Sequence, residues 1–226
     1  MNTRYFNTSP EIIRWAILLY VRYPLSLRQV EELLAERGID ISHESIRRWW
    51  NRFGPGIARN LKVRRSPPSS WSWHIDEVFV RINGVQHYLW RAVDHEGEVI
   101  ECAVTKKRDR HAAKALLRRL IKRNGLPSRI VTDKLGSYRA ALRELGYTGM
   151  HDTARWSNNR AENSHQPFRR RERSMQRFRS ISSLQKFVAV HSQIHNHFNH
   201  ERHLIRRRDY KVARTQSIVE WQESCA

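Results

Sequence analysis

Three acids stand where a carboxylate is costly or conspicuous. Asp76 falls in Trp73 to Ile82, a run rich in β-formers, and shares one face of it with Val78, Val80 and Ile82. A carboxylate there is expensive to bury unless it is paired or coordinates a metal. Asp133 follows Ile130-Val131-Thr132, at the C-terminal end of a short strand, where open α/β sheets place functional groups. Glu162 lies in the first turn of a helix beginning Asn158-Asn159-Arg160-Ala161. Each acid alone has an ordinary explanation. Asp76 could pair with an arginine, Asp133 could cap the following turn, and Glu162 could close a capping box with Asn159. Together they suggest more. Two acids on adjacent sheet elements and a third on a flanking helix can hold two divalent ions about 4 Å apart. Oxygen donors favour Mg²⁺, with Mn²⁺ as substitute, over zinc. The chemistry such a centre supports is in-line displacement at phosphorus, with a water or sugar hydroxyl attacking and a 3′ oxygen leaving.

The surrounding charge fits a phosphate substrate. Lys106, Lys107 and Lys134 are placed to neutralise nearby phosphates, and the stretch from Arg160 to Arg179 holds seven Arg, among them Arg169, Arg170 and Arg171, and two Glu. The whole chain of 226 residues carries 42 Lys+Arg against 22 Asp+Glu, a formal charge of +20. Folding does not need that excess, which costs self-repulsion. Its usual reason is a polyanion, most often nucleic acid. No apolar run approaches the ~18 residues of a membrane span, and MNTRYFNTSP does not read as a signal peptide, so the expectation is a cytoplasmic protein without a membrane partner. Two cysteines, Cys102 and Cys225, exclude a disulfide scaffold and a zinc site built on several thiolates.

The elements that must position the acids read as three strands, then helix, strand and helix. After Trp73 to Ile82, the pair Asn83-Gly84 signals a tight hairpin, with Val85 to Val93 returning and Val99 to Thr105 as a third strand. Asp109 caps a helix to about Arg123, Arg129 to Asp133 is a fourth strand, and a helix through Tyr138, Ala141, Leu142 and Leu145 ends at Gly146. A weakly signalled fifth strand lies near Tyr147 to His151. Helices follow from about Asn159 and over Ser180 to Phe198. The expected class is α/β, a mixed five-stranded sheet with flanking helices.

In front of it stand three short helices. Ser9-Pro10 starts the first, Ser26 to Gln29 reads as a capping box for the second, and Ser42 caps the third. In the third, Ile46, Trp49, Trp50 and Phe53 form one stripe, while Ser45, Arg47, Arg48, Asn51 and Arg52 lie opposite. The arrangement suggests a helix-turn-helix with Ser45, Arg47, Arg48 and Asn51 against DNA. The plainer reading is a solvated face on a three-helix bundle. The expected division is a helix-turn-helix domain over 1–60, a linker over 61–70, a catalytic domain over 71–200 and a solvated basic tail over 201–226.

The stretches WHIDEVFVRINGVQHYLWRAVD, TDKLGSY and NNRAENSHQPFRRRER, in this order, resemble the DDE transposases of bacterial insertion sequences, and most closely the family numbered six. The front segment LRQVEELLAERGIDISHESIRRWWNRFGP resembles that family's helix-turn-helix. The resemblance runs from about residue 10 to 195. It implies an RNase H-like core with Asp76, Asp133 and Glu162 as the catalytic and metal-binding triad, and Mg²⁺-dependent cleavage at the element's ends. Attack of the freed 3′-hydroxyl on target DNA would follow, usually giving a replicative cointegrate. It further implies double-stranded DNA (element ends and target) as partner, a homodimer or larger assembly on that DNA, and a place on the bacterial nucleoid. The alternative class is a non-catalytic DNA-binding protein, either a repressor or a decayed transposase.

His191, His195, His197, His200 and His203 invite a zinc reading, but His191 and His195 share the stripe of Leu184, Phe187, Val188, Ile194 and Phe198. Packed histidines are the expectation. For His74 and His165, close to the acids in sequence, no essential role is expected.

Overall fold

The strand that carries Asp76 is the axis of the sheet. The computed structural model describes residues 7–64, 71–154, 158–175, 178–200 and 204–225. By packing, the chain divides into two units. One comprises Ser66–Arg169 and Arg177–Val188, the other Met1–Arg65, Arg170–Gln176 and Ala189–Ala226.

The first unit is built on β1 (Ser72–Ile82), β2 (Val85–Val93), β3 (Val99–Thr105), β4 (Arg129–Thr132) and β5 (His151–Asp152), in the order β3-β2-β1-β4-β5. β1, β2 and β3 pair antiparallel, whereas β4 runs parallel to β1 and β5 parallel to β4. This is the mixed five-stranded sheet the residues predict and the RNase H-like arrangement the resemblance implies. The β1–β2 hairpin turns at Asn83 and Gly84, with φ of 51° and 80°. That is the type I′ geometry Asn-Gly favours, because both central residues need positive φ. Helices α4 (Arg110–Asn124) and α5 (Gly136–Leu145) cover one face. Asp109 caps α4 through the Ala112 amide at 2.9 Å. Trp73, Ile75, Trp90 and Ala92 of the sheet pack there against Ala113, Leu116, Leu117 and Leu120 of α4 and Tyr138, Ala141 and Leu142 of α5.

α6 (Asn159–Ser174) and α7 (Ile181–Phe198) follow. The Phe168 and Phe187 rings pack on either side of Phe178, which bridges to Ile82 at the end of β1. Gln185 occupies the open edge of β3, accepting from the Val104 amide at 2.8 Å and donating to the Cys102 carbonyl at 3.1 Å. A covered edge cannot template pairing with another chain.

The second unit is helical: α1 (Pro10–Arg22), α2 (Leu27–Ala35), α3 (His43–Arg64) and α8 (Arg207–Ser224). The predicted caps form. Ser9 accepts from the Ile12 amide, and Ser26 and Gln29 make the reciprocal box. Two features differ from the sequence reading. α3 runs through the Gly54-Pro55-Gly56 step to Arg64, into the first residues of the predicted linker 61–70. An interior proline costs about 3 kcal/mol. Burial of Ile57, Ala58 and Leu61, which continue the stripe of Trp50 and Phe53, offsets it. The predicted linker residues 65–70 lie outside the described residues.

The predicted solvated tail is in large part helix α8. Trp221 is 2% exposed, Asn60 donates to the Ser224 carbonyl at 2.7 Å, and Arg64 pairs with Glu223 at 2.5 Å. The packing therefore gives the helical unit more chain than residues 1–60. α8 is hard to read because few of its positions are apolar and its sequence is dominated by polar and charged residues.

Gly54 has a packing reason. A Cβ built on it meets the Trp50 ring at 2.7 Å, and Trp50 is buried edge-on against Tyr20. Gly54→Ala should gain about 1 kcal/mol of helix propensity and lose more, up to about 3 kcal/mol, to overpacking. The expected net is a lower midpoint in thermal unfolding. A raised midpoint would mean that Trp50 yields freely.

Candidate active site

The β1–β4 register decides where the first two acids meet. Its last pair is Ile75 with Thr132, so Asp76 and Asp133 are the next residues on two parallel neighbours. Carboxylate oxygens of Asp76, Glu77 and Asp133 lie within 4.8 Å of one another. Asp76 and Glu77 leave opposite faces of β1, and their surroundings differ accordingly.

On the Asp76 side, its Oδ2 lies 3.3 Å from His165 Nε2 on α6. Burial pushes the His165 pKa below the ordinary imidazole value, and Arg91 adds to that, while Asp76 pulls it back up. Arg91 is the residue of β2 directly across from Asp76. Its guanidinium is fully buried, and among the described residues none of its nitrogens has a hydrogen-bond partner. Burial lowers its pKa, but guanidinium stays protonated at neutral pH, so it is a fixed positive charge across the strand pair from Asp76. The start of α6 is pinned to the same strand, because Asn158 Nδ2 donates to the Ile75 carbonyl at 3.0 Å.

On the other side, Glu77 is sealed, with 1% of its side chain exposed. Tyr138 donates to its Oε2 at 2.5 Å, and Arg108 Nε donates to its Oε1 at 2.5 Å. Burial pushes the Glu77 carboxyl above the usual carboxylate range, while Tyr138 and Arg108 pull it back. Burial and the adjoining Glu77 raise the Tyr138 phenol well above its ordinary value. Arg108 also faces Asp133 Oδ2 at 3.5 Å, and Asp133 Oδ1 accepts from the Leu135 amide at 3.0 Å. Thus Asp133 does cap its turn, with one oxygen, and still faces the cluster.

Of the three predicted acids, Asp76 and Asp133 are brought together. Glu162 is not among the clustered carboxylates. It stands exposed in the first turn of α6, one turn before His165. Glu77, Arg108 and Tyr138 escape sequence reasoning. Glu77 alternates away from Asp76 and reads as a facing polar residue, Tyr138 reads as core, and Arg108 as the residue before a helix cap. All donors in the cluster are oxygens, which fits a hard divalent cation, and Asp76 and Asp133 keep exposures of 15% and 38% through which one could enter.

The predicted phosphate contacts divide. Lys106, Lys107, Lys134, Arg160 and Arg170 are exposed. Arg169 is partly covered and donates to the Phe79 carbonyl at 2.5 Å. Arg171 is a correction. It is 1% exposed inside the helical unit, donating to the Leu25 carbonyl at 2.8 Å and to Ser174 at 2.7 Å, with Tyr20 against its guanidinium. Burial lowers its pKa to about 10. It faces the end of α1 and the α1–α2 connection, not solvent, and has no path to a phosphate. Arg177 of the same track lies outside the described residues.

In the helical unit, α3 presents Arg47, Arg48 and Asn51 to solvent and half-buries Ser45. Arg47 pairs with Glu44 at 2.9 Å. His43 meets Glu31 at 2.8 Å and ties α3 to α2. Trp49 and Trp50 are core residues, as the stripe predicts. The histidines serve packing: the His191 and His195 rings stack at 6.0 Å, while His197 and His200 each meet Ser217 of α8 at 2.8 Å. His203 lies outside the described residues.

Comparison with known proteins agrees with the motifs. The model of the DDE domain family DDE_Tnp_IS240 matches residues 70–201. The chain is 32% identical over 185 residues to a Staphylococcus aureus protein, "Transposase for insertion sequence-like element IS431mec", covering 80% of this chain and 81% of that one. The chain belongs to the DDE transposases of bacterial insertion sequences, in the family numbered six. A second S. aureus relative, "Transposase for insertion sequence element IS257 in transposon Tn4003", is 31% identical over the same shares of the two chains. Among solved structures, the HTLV-2 integrase catalytic core domain in complex with magnesium (trimeric form) is similar at a TM-score of 0.43 and 15% identity, over 58% of this chain and 86% of that one. As a DDE transposase the chain is a polynucleotidyl transferase. Among the described residues no helix is long and apolar enough to cross a membrane.

Proposed function

We propose that this transposase binds the terminal inverted repeats of its insertion sequence, cleaves there to free 3′-hydroxyls, and joins those ends to target DNA. A replicative cointegrate is the expected product. The observation that carries the reading is the pair Asp76 and Asp133, side by side past the last β1–β4 pair, with oxygens within 4.8 Å. We assign catalysis and metal binding to Asp76, Asp133 and Glu162, and Mg²⁺ as the cofactor, with Mn²⁺ able to substitute. Ions held there would supply activation of the attacking hydroxyl and stabilisation of the departing 3′ oxygen. Asp76 offers its carboxylate beside His165, and Asp133 offers one oxygen while its other is held by the Leu135 amide. Glu162 supplies the third acid from the helix that already touches Asp76 through His165. Lys106, Lys107, Lys134, Arg160, Arg169 and Arg170 gather phosphates of element ends and target. The active species is a homodimer or larger on DNA, and it works in the cytoplasm on the nucleoid.

The test is a joining assay. The full chain is incubated with terminal-repeat duplex, target plasmid and Mg²⁺, and the expected products are a nicked 3′ end and a covalent joint. End binding with no joined product in Mg²⁺ or Mn²⁺ would leave a non-catalytic DNA-binding protein instead.

End recognition is assigned to Ser45, Arg47, Arg48 and Asn51 on α3. Arg47→Ala should weaken binding to terminal repeats by about 1–3 kcal/mol and to random duplex by less. Competition gel shifts at fixed salt read both. Equal weakening would make Arg47 a phosphate contact rather than a base reader.

A further inference from the structure

Glu77 sits in the acidic cluster but is arranged differently from the two aspartates. A carboxylate that ligates a metal needs a lone pair directed at open space. Glu77 is 1% exposed, and each oxygen is already committed: Oε2 to the Tyr138 hydroxyl at 2.5 Å and Oε1 to Arg108 Nε at 2.5 Å, with Arg108 Nη2 against Oε1 as well. The other end of the network reaches the cluster, because Arg108 Nη2 lies 3.5 Å from Asp133 Oδ2. Arg108 itself is one-third exposed and stands just ahead of the Asp109 cap of α4.

We propose that Glu77 is a positioning residue, not a metal ligand: anchored by Tyr138, it fixes the Arg108 guanidinium, and Arg108 in turn orients the Asp133 carboxylate for a divalent cation. The inference rests on the functional reading above. The division of labour follows from geometry. Asp133 Oδ1 is held by the Leu135 amide, which leaves rotation of Oδ2 to be limited by Arg108. A guanidinium is suited to this, since its planar fork can serve two carboxylates at once where an ammonium acts as a single point charge. Tyr138 lies in the turn of helix after Asp133, so one short segment, residues 133 to 138, supplies both the acid and the anchor of the residue that orients it. Glu77 also balances the charge. A guanidinium facing Asp133 alone would compete with an incoming cation, whereas one shared with a buried carboxylate is largely neutralised. Outer partners of this kind typically set metal affinity within ~10- to 100-fold.

The measurement is Mn²⁺ binding to the full chain without DNA, read by electron paramagnetic resonance of free Mn²⁺, alongside thermal unfolding. Glu77→Gln keeps the shape and loses the charge, and Arg108→Lys keeps the charge and loses the fork. Each should weaken Mn²⁺ tenfold or more, with the number of bound ions unchanged. Arg108→Lys, at a partly exposed position, should unfold at the wild-type midpoint and so reads the proposal even if Glu77→Gln folds poorly. Tyr138→Phe should weaken Mn²⁺ in the same direction by a smaller factor. If Arg108→Lys binds Mn²⁺ as wild type does while Glu77→Gln loses a bound ion, Glu77 is a ligand and the inference falls. If both variants bind as wild type while Asp133→Asn does not, the inference falls and the metal reading stands. If the wild type binds no Mn²⁺, both fall together.

Discussion

Asp133→Asn will bind terminal repeats with near wild-type affinity and join essentially none of them to target. The substitution keeps the shape. An asparagine oxygen still accepts from the Leu135 amide, so the turn into α5 survives, and β4 is untouched. What it removes is one negative charge from a cluster whose function depends on charge. The remaining amide group is a donor, and it would face the Arg108 guanidinium, another donor, across the present 3.5 Å. Metal affinity and orientation are lost together. The expected loss in strand transfer is at least ~10³-fold, or about 4 kcal/mol of transition-state stabilisation. End binding is assigned to α3, in the other packing unit, and should not change. Gel shift and joining assays on one preparation separate the two properties. Wild-type joining by the variant would remove Asp133 from the centre. Lost end binding would show instead that the acid supports the fold.

The first hairpin and the caps were readable because they depend on local chemistry. Asn83-Gly84 needs positive φ, Ser26 and Gln29 satisfy each other, and Asp109 satisfies the Ala112 amide. Asp76 and Asp133 were readable for a similar reason: a carboxylate on an apolar strand or at a strand end stands out. The features that escaped need tertiary register. Glu77 differs from Asp76 only by facing the opposite way, and nothing in the sequence says that Tyr138, sixty-one residues on, will donate to it. Arg171 looks like its neighbours Arg169 and Arg170, yet helical geometry turns it inward to Tyr20 and the Leu25 carbonyl. In α8 a single buried tryptophan among charged residues carries the packing, too sparse a pattern to announce a docked helix. Glu162 was legible as a motif residue, but its exposure on α6 depends on how that helix sits against β1, which spacing does not reveal.

Trp90→Ala should cost about 3–5 kcal/mol, a large fraction of the stability of a domain this size. Trp90 is fully buried on β2, directly across from Glu77, and its ring meets Tyr138 edge-on at 5.6 Å. Removing it opens a cavity between the sheet and α5, and the ring that steadies the Tyr138 phenol is gone. The same side chain acts on a second arm of the site. Its Nε1 donates to Thr105 Oγ1 at 2.8 Å, and that hydroxyl donates to the Lys107 carbonyl at 2.7 Å, one residue before Arg108. One core tryptophan therefore supports both groups that hold Glu77. Trp90→Phe separates the two contributions, since it keeps an aromatic edge for Tyr138 and cuts the bond to Thr105. It should cost less, about 1–2 kcal/mol, and should still raise the Mn²⁺ requirement for joining. Urea unfolding followed by circular dichroism gives the stability change, and Mn²⁺ titration of the joining reaction gives the second. A Trp90→Phe protein with reduced stability and an unaltered Mn²⁺ requirement would confine Trp90 to the core. An altered requirement means that the packing of this sheet face reaches the acids through Thr105 and Arg108.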